Sequence, residues 1–319
     1  MLTDRLLGAI ASRYLGKPDL AEFLRIRFPD LPSVLSGTRN EVAHRLGWDG
    51  AARLTTLNVE LTSRCNAACS YCDVNRQLGR PNRDLDLSLY ARLLESSPTL
   101  EAVLPFQWGE PLLYPALDEA LDLATRRGLR SYLTTNGLLL DGDRFRLLAA
   151  TGLNRLTVSI DGDASDHQAR RGYDQAAVLE QLAEARHAQA RDGLKTKLDI
   201  SMVVDESVAA SMPAFRERLS PLCDRLQFIP RMIQGERTHG CREPSRGLLV
   251  VLSDGSVTTC CADVRGELAL GHLDDGDPAA LYNGPRWRAL RKQHRNGDLP
   301  PTCKNCSECN VSGVSPRFS

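Results

Sequence analysis

The stretch "LTTLNVELTSRCNAACSYC" runs from Leu54 to Cys72, and its reading decides the fold. Its first half is β-rich with alternating apolar positions, the pattern of a strand. Its second half sets Cys65, Cys69 and Cys72 within eight residues, spaced C-x3-C-x2-C, directly after that strand. Three thiols in one loop suit neither a paired-disulfide framework nor a closed zinc site, which wants a fourth ligand close by. They suit a [4Fe–4S] cluster in which cysteines hold three irons and one iron stays open to a non-protein ligand. An open coordination position marks a catalytic metal rather than a structural one. Zinc with a remote fourth ligand is the competing reading of the spacing alone.

Outward from this loop the chain alternates. Strand-like runs are "LTTLNVELT", "AVLPFQW", "RSYLTT", "NRLTVSI", "KLDISMVV" and "DRLQFIP". Helical spacing lies between them, at about Leu87 to Glu95, Pro115 to Arg127, Asp143 to Ala150, Gln175 to Arg191 and Ala209 to Leu219. Six strand–helix alternations predict an α/β fold, a parallel sheet with helices outside it. In such folds the chemistry gathers at the C-terminal ends of the strands. The cysteine loop follows the first strand, "GEP" the second, "TNG" the third and "DGD" the fourth, so these four loops share one rim.

Composition removes other classes. The chain has 319 residues, 42% hydrophobic, with 40 Lys and Arg against 40 Asp and Glu. That balance lacks the basic excess of a phosphate-backbone binder, so nucleic acid is not expected as a partner. No apolar run approaches the ~18 residues of a membrane span, and "MLTDRLLGAIASRYLG" reads as an amphipathic helix rather than a signal peptide. A cytoplasmic chain is expected. Its ten cysteines then point to metal or catalytic thiols.

A second cysteine group lies C-terminal: Cys241, the pair Cys260 and Cys261, and Cys303, Cys306 and Cys309 in "CKNCSEC", with Cys223 alone between the groups. "LLVVLSDGSVTTC" predicts a hairpin around Ser253-Asp254-Gly255. A helix-like run "ALYNGPRWRALRKQH" follows. On spacing alone this group is also compatible with a zinc ribbon. In the N-terminal region, "PDLAEFLRIRFPDLP" and "RNEVAHRLGW" predict short helices broken at Pro29 and Pro32.

With Tyr71 before the last cysteine, C-x3-C-x-aromatic-C resembles the signature of the radical S-adenosylmethionine (radical SAM) enzymes. The resemblance covers about Leu54 to Pro230 and again Cys241 to Cys309. It implies a partial (β/α)6 barrel of parallel strands with a small C-terminal hairpin-and-helix extension. It also implies S-adenosylmethionine chelated to the open iron and cleaved reductively to a 5′-deoxyadenosyl radical that takes a hydrogen atom from a substrate carbon. "QWGEP" resembles the family's GGEP motif, with Gly109, Glu110 and Pro111 intact and Trp108 in place of the first glycine. Its implied role is to receive the SAM ammonium. "VSIDG" resembles the fourth-strand motif, with Ser159 facing the SAM carboxylate or ribose. Arg171 matches the arginine that pairs with that carboxylate, and Arg170 is its alternative. Asn136 of "TTNG" is either a SAM-site residue or a turn former.

The C-terminal region resembles a twitch (short SPASM) extension. The implied ligands of one auxiliary [4Fe–4S] cluster are Cys241, Cys260, Cys303 and Cys306. "CCAD" and "LGHL" resemble family motifs, with His272 where asparagine is usual. The implied division is an N-terminal helical extension at 1–52, a radical SAM core at 53–232 and an auxiliary-cluster domain at 233–319. Relatives of this kind include dehydrogenases and epimerases of aminocyclitols and aminosugars. A small-molecule substrate is therefore expected rather than a peptide, with a flavodoxin- or ferredoxin-type reductant. Cys223, Cys261 and Cys309 remain spare. Cys261 and Cys223 are the candidate hydrogen-atom donors, which tips the expectation to epimerisation over dehydrogenation. A peptide-modifying enzyme, a non-catalytic electron carrier and a zinc-binding module are the alternatives.

Overall fold

The computed structural model describes residues 31–72, 81–205, 208, 211–230, 237 and 240–306. All six expected strands form: β1 (Thr56–Val59), β2 (Ala102–Leu104), β3 (Arg130–Thr135), β4 (Arg155–Ser159), β5 (Lys197–Val204) and β6 (Arg225–Pro230). Each pairs in parallel with its sequence neighbour. Between them lie α2 (Leu87–Glu95), α3 (Leu117–Arg126), α4 (Gly142–Ala150), α5 (Ala164–Arg171), α6 (Gln175–Asp192) and α7 (Met212–Leu219), preceded by α1 (Leu31–Arg45). The fold is α/β and mostly parallel. It stays open, as a partial barrel, because β6 ends one edge instead of pairing back to β1.

Alternation along the strands sorts the side chains by face. Leu156 and Val158 of β4 and Ile200 and Met202 of β5 are fully buried in one core with Phe145 and Leu148 of α4 and Leu182 of α6. Each such side chain contributes about 1.5–3 kcal/mol by leaving water. The opposite face is polar. There Thr157, Asp199 and Arg225 stand in one row, and Ser159, Ser201 and Gln227 in the next. On this face the Asp199 carboxylate meets Arg155 at 2.5 Å and Arg225 at 2.7 Å.

The C-terminal extension continues the sheet. The predicted hairpin is β7 (Leu248–Val251) and β8 (Ser256–Thr258), followed by β9 (Gly271–His272). β7 pairs in parallel with β1, so one nine-stranded sheet runs β6-β5-β4-β3-β2-β1-β7-β8-β9. His272 closes this hairpin, its Nε2 lying 2.8 Å from the Asp254 carbonyl.

Three expectations need correction. Pro32 does not break a helix. It sits in the first turn of α1, where its missing N–H costs nothing; Pro29 lies outside the described residues. The run after the hairpin is two helices, α8 (Pro278–Tyr282) and α9 (Pro285–Asn296), because Gly284-Pro285 stops the first and starts the second. A short α10 (Pro301–Lys304) follows. Finally, α5 was not predicted, since "ASDHQARR" has no apolar stripe. Its signal is the reciprocal capping of Asp163 and Asp166 at the start and Gly172 at the end, at φ 81°.

Candidate active site and auxiliary thiol centre

The first cysteine loop leaves the C-terminal end of β1 and is tied down at several points. Ser70 donates its N–H to the Arg170 carbonyl at 2.8 Å, and Cys72 donates to the Cys69 carbonyl at 3.2 Å. The Tyr71 hydroxyl donates to Asp161 Oδ2 at 2.6 Å. Cys65, Cys69 and Cys72 are all half-buried on the rim. Burial pushes the Cys65 thiol up, and a hydrogen bond from the Ala67 backbone draws it back. Burial also pushes up Cys69, against the pull of the Arg171 charge.

The second loop presses directly on the first. Glu110 donates its N–H to the Arg64 carbonyl at 2.8 Å. A Cβ on Gly109 would lie 2.0 Å from the Thr62 carbonyl oxygen, so only glycine fits there. Pro111 opens a short 3-10 turn behind it. The Glu110 carboxylate, 2% exposed, accepts from the Thr135 hydroxyl at 2.7 Å, the Asn136 N–H at 2.7 Å and the Leu112 N–H at 3.0 Å. Burial pushes its pKa up while those three donors hold it back. Glu110 thus orders the third-strand loop from behind. Of the two roles left open by the sequence, the contacts of Asn136 show the turn former, and they also tie it to the cysteine loop. Its Oδ1 accepts from the Leu138 N–H at 2.9 Å as a turn former, and its Nδ2 donates to Asn66 at 2.8 Å and lies 4.0 Å from Cys65 Sγ.

Asp161 organises the fourth loop, and sequence reasoning assigned it no role. It is completely buried. Oδ1 accepts from the Val203 N–H at 2.8 Å, and Oδ2 lies 3.0 Å from Arg171 Nε. For Arg171, burial alone would lower the pKa, but the Asp161 carboxylate raises it well above the usual arginine value. Arg171 ends α5 and is buried near the Tyr71 ring, at 5.8 Å from its centroid. Arg170 also borders this cluster, 5.3 Å from the Tyr71 centroid and with Nε 3.6 Å from Asp161 Oδ2, while its far end turns toward β5, Nη1 3.1 Å from Asp205 and Nη2 donating to the Val203 carbonyl at 2.8 Å. His167, also completely buried, accepts the Asp161 N–H at Nδ1, at 3.3 Å. Burial, then the Arg171 charge, lowers its pKa to about 4. Ser159 faces Ser201 across the polar side of the sheet, with hydroxyls 3.5 Å apart. The signal available for Asp161 was its place in "VSIDG", one position past the end of a buried strand run.

The second thiol group assembles from distant segments. Cys241, Cys260, Cys303 and Cys306 all line one cavity. Two of their sulfurs accept backbone N–H groups, Cys241 from Glu243 and Cys260 from Ala262, each at 3.3 Å. His294 accepts the Cys241 N–H at Nδ1, at 3.0 Å. A hydrogen bond from its S–H to Cys261, and burial, push the Cys260 thiol up. Cys261 is not among the lining residues. Its carbonyl accepts from Gln107 Nε2 at 2.6 Å, which joins the hairpin to the loop leading into Gly109.

Cys223 is not brought to either group. It precedes β6, at the N-terminal edge of the parallel strands, and is buried in the core with its thiol donating to the Leu219 carbonyl at 3.5 Å. Burial pushes that thiol up to about 11. The rim lies at the opposite edge, so its proposed role as a hydrogen donor has no geometric basis. Cys309 lies outside the described residues.

Both donor sets fit iron–sulfur clusters. Three thiols on one tethered rim loop match the donor chemistry of a cluster with an open iron. Four thiols around one cavity, with backbone N–H groups on two of their sulfurs, match a saturated one. Among the described residues no three His, Cys, Asp or Glu side chains already stand as a metal cage.

The comparisons agree with this geometry. The Radical SAM superfamily model matches residues 59–208, and the SPASM iron–sulfur cluster-binding domain matches residues 241–307. A PqqA peptide cyclase of Ruegeria pomeroyi is 33% identical over 300 residues, covering 79% of each chain. An S-adenosyl-L-methionine-dependent 2-deoxy-scyllo-inosamine dehydrogenase of Niallia circulans is 26% identical over 262 residues, covering 80% of this chain and 93% of the relative. The crystal structure of BtrN with AdoMet and 2-DOIA superposes with a TM-score of 0.56 at 21% identity, over 80% of this chain and 93% of that one. The chain belongs to the radical SAM superfamily, with S-adenosylmethionine and a [4Fe–4S] cluster in its core and an auxiliary iron–sulfur cluster in its SPASM domain.

Proposed function

We propose that this enzyme dehydrogenates a small, polar, hydroxyl-bearing molecule of the aminocyclitol or aminosugar kind. The observation that carries the reading is the second thiol centre. Four cysteines around one cavity leave a cluster no position for substrate and suit it to electrons. The polar face of the sheet supports a polar substrate, with Ser159, Ser201, Gln227 and the Asp199–Arg155 pair upon it. So does similarity to the Niallia circulans dehydrogenase across 93% of that protein.

The residue roles follow from the contacts. Cys65, Cys69 and Cys72 would hold the open-iron cluster, and Cys241, Cys260, Cys303 and Cys306 the auxiliary one. When bound, cluster and S-adenosylmethionine together supply the power to take a hydrogen atom from an unactivated carbon. The Tyr71 hydroxyl, through Asp161, holds the cysteine loop against β4. Gly109 lets the second loop approach the first, Glu110 fixes the Asn136 loop, and Pro111 sets the turn behind them. Arg171 and Ser159 would hold the S-adenosylmethionine carboxylate, Arg171 by a charge-assisted contact. We include in the proposal the division at residues 52 and 232, a cytoplasmic setting and a flavodoxin- or ferredoxin-type reductant. Among the described residues no helix is long and apolar enough to cross a membrane.

A second reading, epimerisation, is favoured by one observation. The Gln107 side chain donates to the Cys261 carbonyl, which holds the backbone of this spare cysteine against the loop that enters Gly109. Anaerobic turnover in D2O separates the readings. Dehydrogenation gives a product lighter by two hydrogens with no solvent deuterium at the reacting carbon. Epimerisation gives an isomer carrying one carbon-bound deuterium, lost in Cys261→Ser. If 5′-deoxyadenosine formation responds to a peptide and to no polyhydroxylated amine, the small-molecule reading fails.

A further inference from the structure

A cluster held by four thiolates is anionic, and each added electron makes it more so. N–H groups directed at its sulfurs, and positive charge buried beside it, raise its reduction potential. The second thiol cavity has both. Besides the N–H donors on Cys241 and Cys260, it has Arg237 in its wall, 6% exposed. Arg237 grips the Cys303–Cys306 turn three ways. Its own N–H donates to the Lys304 carbonyl at 2.7 Å, its Nε donates to the Cys306 carbonyl at 2.9 Å, and its Nη2 lies 3.6 Å from Cys306 Sγ. The two acids lining the cavity are engaged elsewhere. Asp263 accepts from the Thr258 hydroxyl at 2.6 Å and from the Glu267 and Leu268 N–H groups at 2.9 Å, and Glu243 pairs with Arg246.

We infer that Arg237 is a positioning residue that raises the reduction potential of the auxiliary cluster by directing its guanidinium at the Cys306 sulfur. This rests on the reading of Cys241, Cys260, Cys303 and Cys306 as the ligands. A merely structural clamp would need only the two carbonyl contacts, whereas the third contact puts a charge on the sulfur. The planar fork makes both Cys306 contacts at once, which a lysine ammonium cannot reproduce.

The test is a redox titration of the full-length holoenzyme followed by electron paramagnetic resonance. Added S-adenosylmethionine identifies the first cluster's signal by shifting it. In Arg237→Gln, with iron and sulfide retained, the auxiliary potential should fall. In Arg237→Lys it should fall less, giving the order wild type, Lys, Gln. A wild-type potential in either iron-replete variant overturns the inference. Should Arg237→Gln fail to hold its second cluster, Arg237→Lys is judged alone by the same criterion. Failure of the ligand reading looks different: wild type itself would then hold about four irons and show no second signal.

Discussion

The two thiol centres are built in opposite ways. The first takes all its cysteines from one loop of eight residues, Cys65 to Cys72, and borrows everything else from afar. Asp161, Arg170, Asn136 and Glu110 arrive from three other strand ends to hold that loop. The second takes its cysteines from Cys241 to Cys306, and those separate turns meet around a cavity. A centre that keeps one metal position open gains from a compact ligand loop, which leaves a whole side for the cofactor. A centre closed on all sides has to be surrounded, so its ligands come from several segments.

The sharpest way to break this contrast is to remove thiols one centre at a time. Ala at Cys65, Cys69 or Cys72 should abolish conversion of S-adenosylmethionine to 5′-deoxyadenosine. Ala at Cys303 or Cys306 should leave slow uncoupled cleavage while ending substrate turnover, as chromatography of both products would show. Each set should lower bound iron from about eight to about four per chain. Equal loss of cleavage from both sets would mean that the centres do not act separately.

Next in size is the tether of the first loop. Asp161→Ala leaves Arg171 buried without its carboxylate, which costs about 3–5 kcal/mol for a broken buried pair. Chemical denaturation of the cluster-free chain measures this, and Asp161→Asn should recover part of the loss by keeping the Val203 and Tyr71 hydrogen bonds. A loss within the error of the measurement would remove Asp161 as organiser of the site.

A smaller effect is expected from Arg171→Ala, which should weaken S-adenosylmethionine binding by about 1.5–3 kcal/mol, the value of a hydrogen bond between charged groups. Isothermal titration under argon reads it. An unchanged dissociation constant would leave Arg171 a purely structural partner of Asp161.

The smallest effect concerns pH. His167 is completely buried with a pKa lowered to about 4 from 6.5. Between those values the unfolded chain binds the proton and the folded chain does not. The stability is therefore complete above the ordinary histidine value and is lost as pH falls toward about 4. Between about pH 7.5 and pH 5 the loss should be about 2 kcal/mol. Urea midpoints at the two pH values should show it, and His167→Gln should show a smaller drop. A variant as pH-sensitive as wild type would place the effect in other groups.

Local patterns made the six parallel strands, the helices between them other than α5, the hairpin at Ser253-Asp254-Gly255 and both cysteine sets legible. Strand and helix periodicity, turn residues and ligand spacing are properties of neighbours along the chain, and the polypeptide backbone turns them into structure with few alternatives. The parallel sheet alone then put the cysteine loop, Gly109, Asn136 and Ser159 on one rim.

Other features depended on contacts between residues far apart in sequence. The pairing of β7 with β1, which merges the extension into the core sheet, has no local signature, because any exposed strand edge can accept a parallel partner. Cys223 and Cys261 are equal as spare thiols in the sequence, yet strand direction buries the first at the wrong edge and a hydrogen bond from Gln107 holds the second near the rim. Asp161 reads as one more acid in a charged stretch until folding buries it against Arg171 and Tyr71. Charge and hydrogen bonding in a low-dielectric interior depend on distance in space rather than distance in sequence. That is why the cysteine spacings could be read from sequence alone and the place of Asp161 beside them only from the fold.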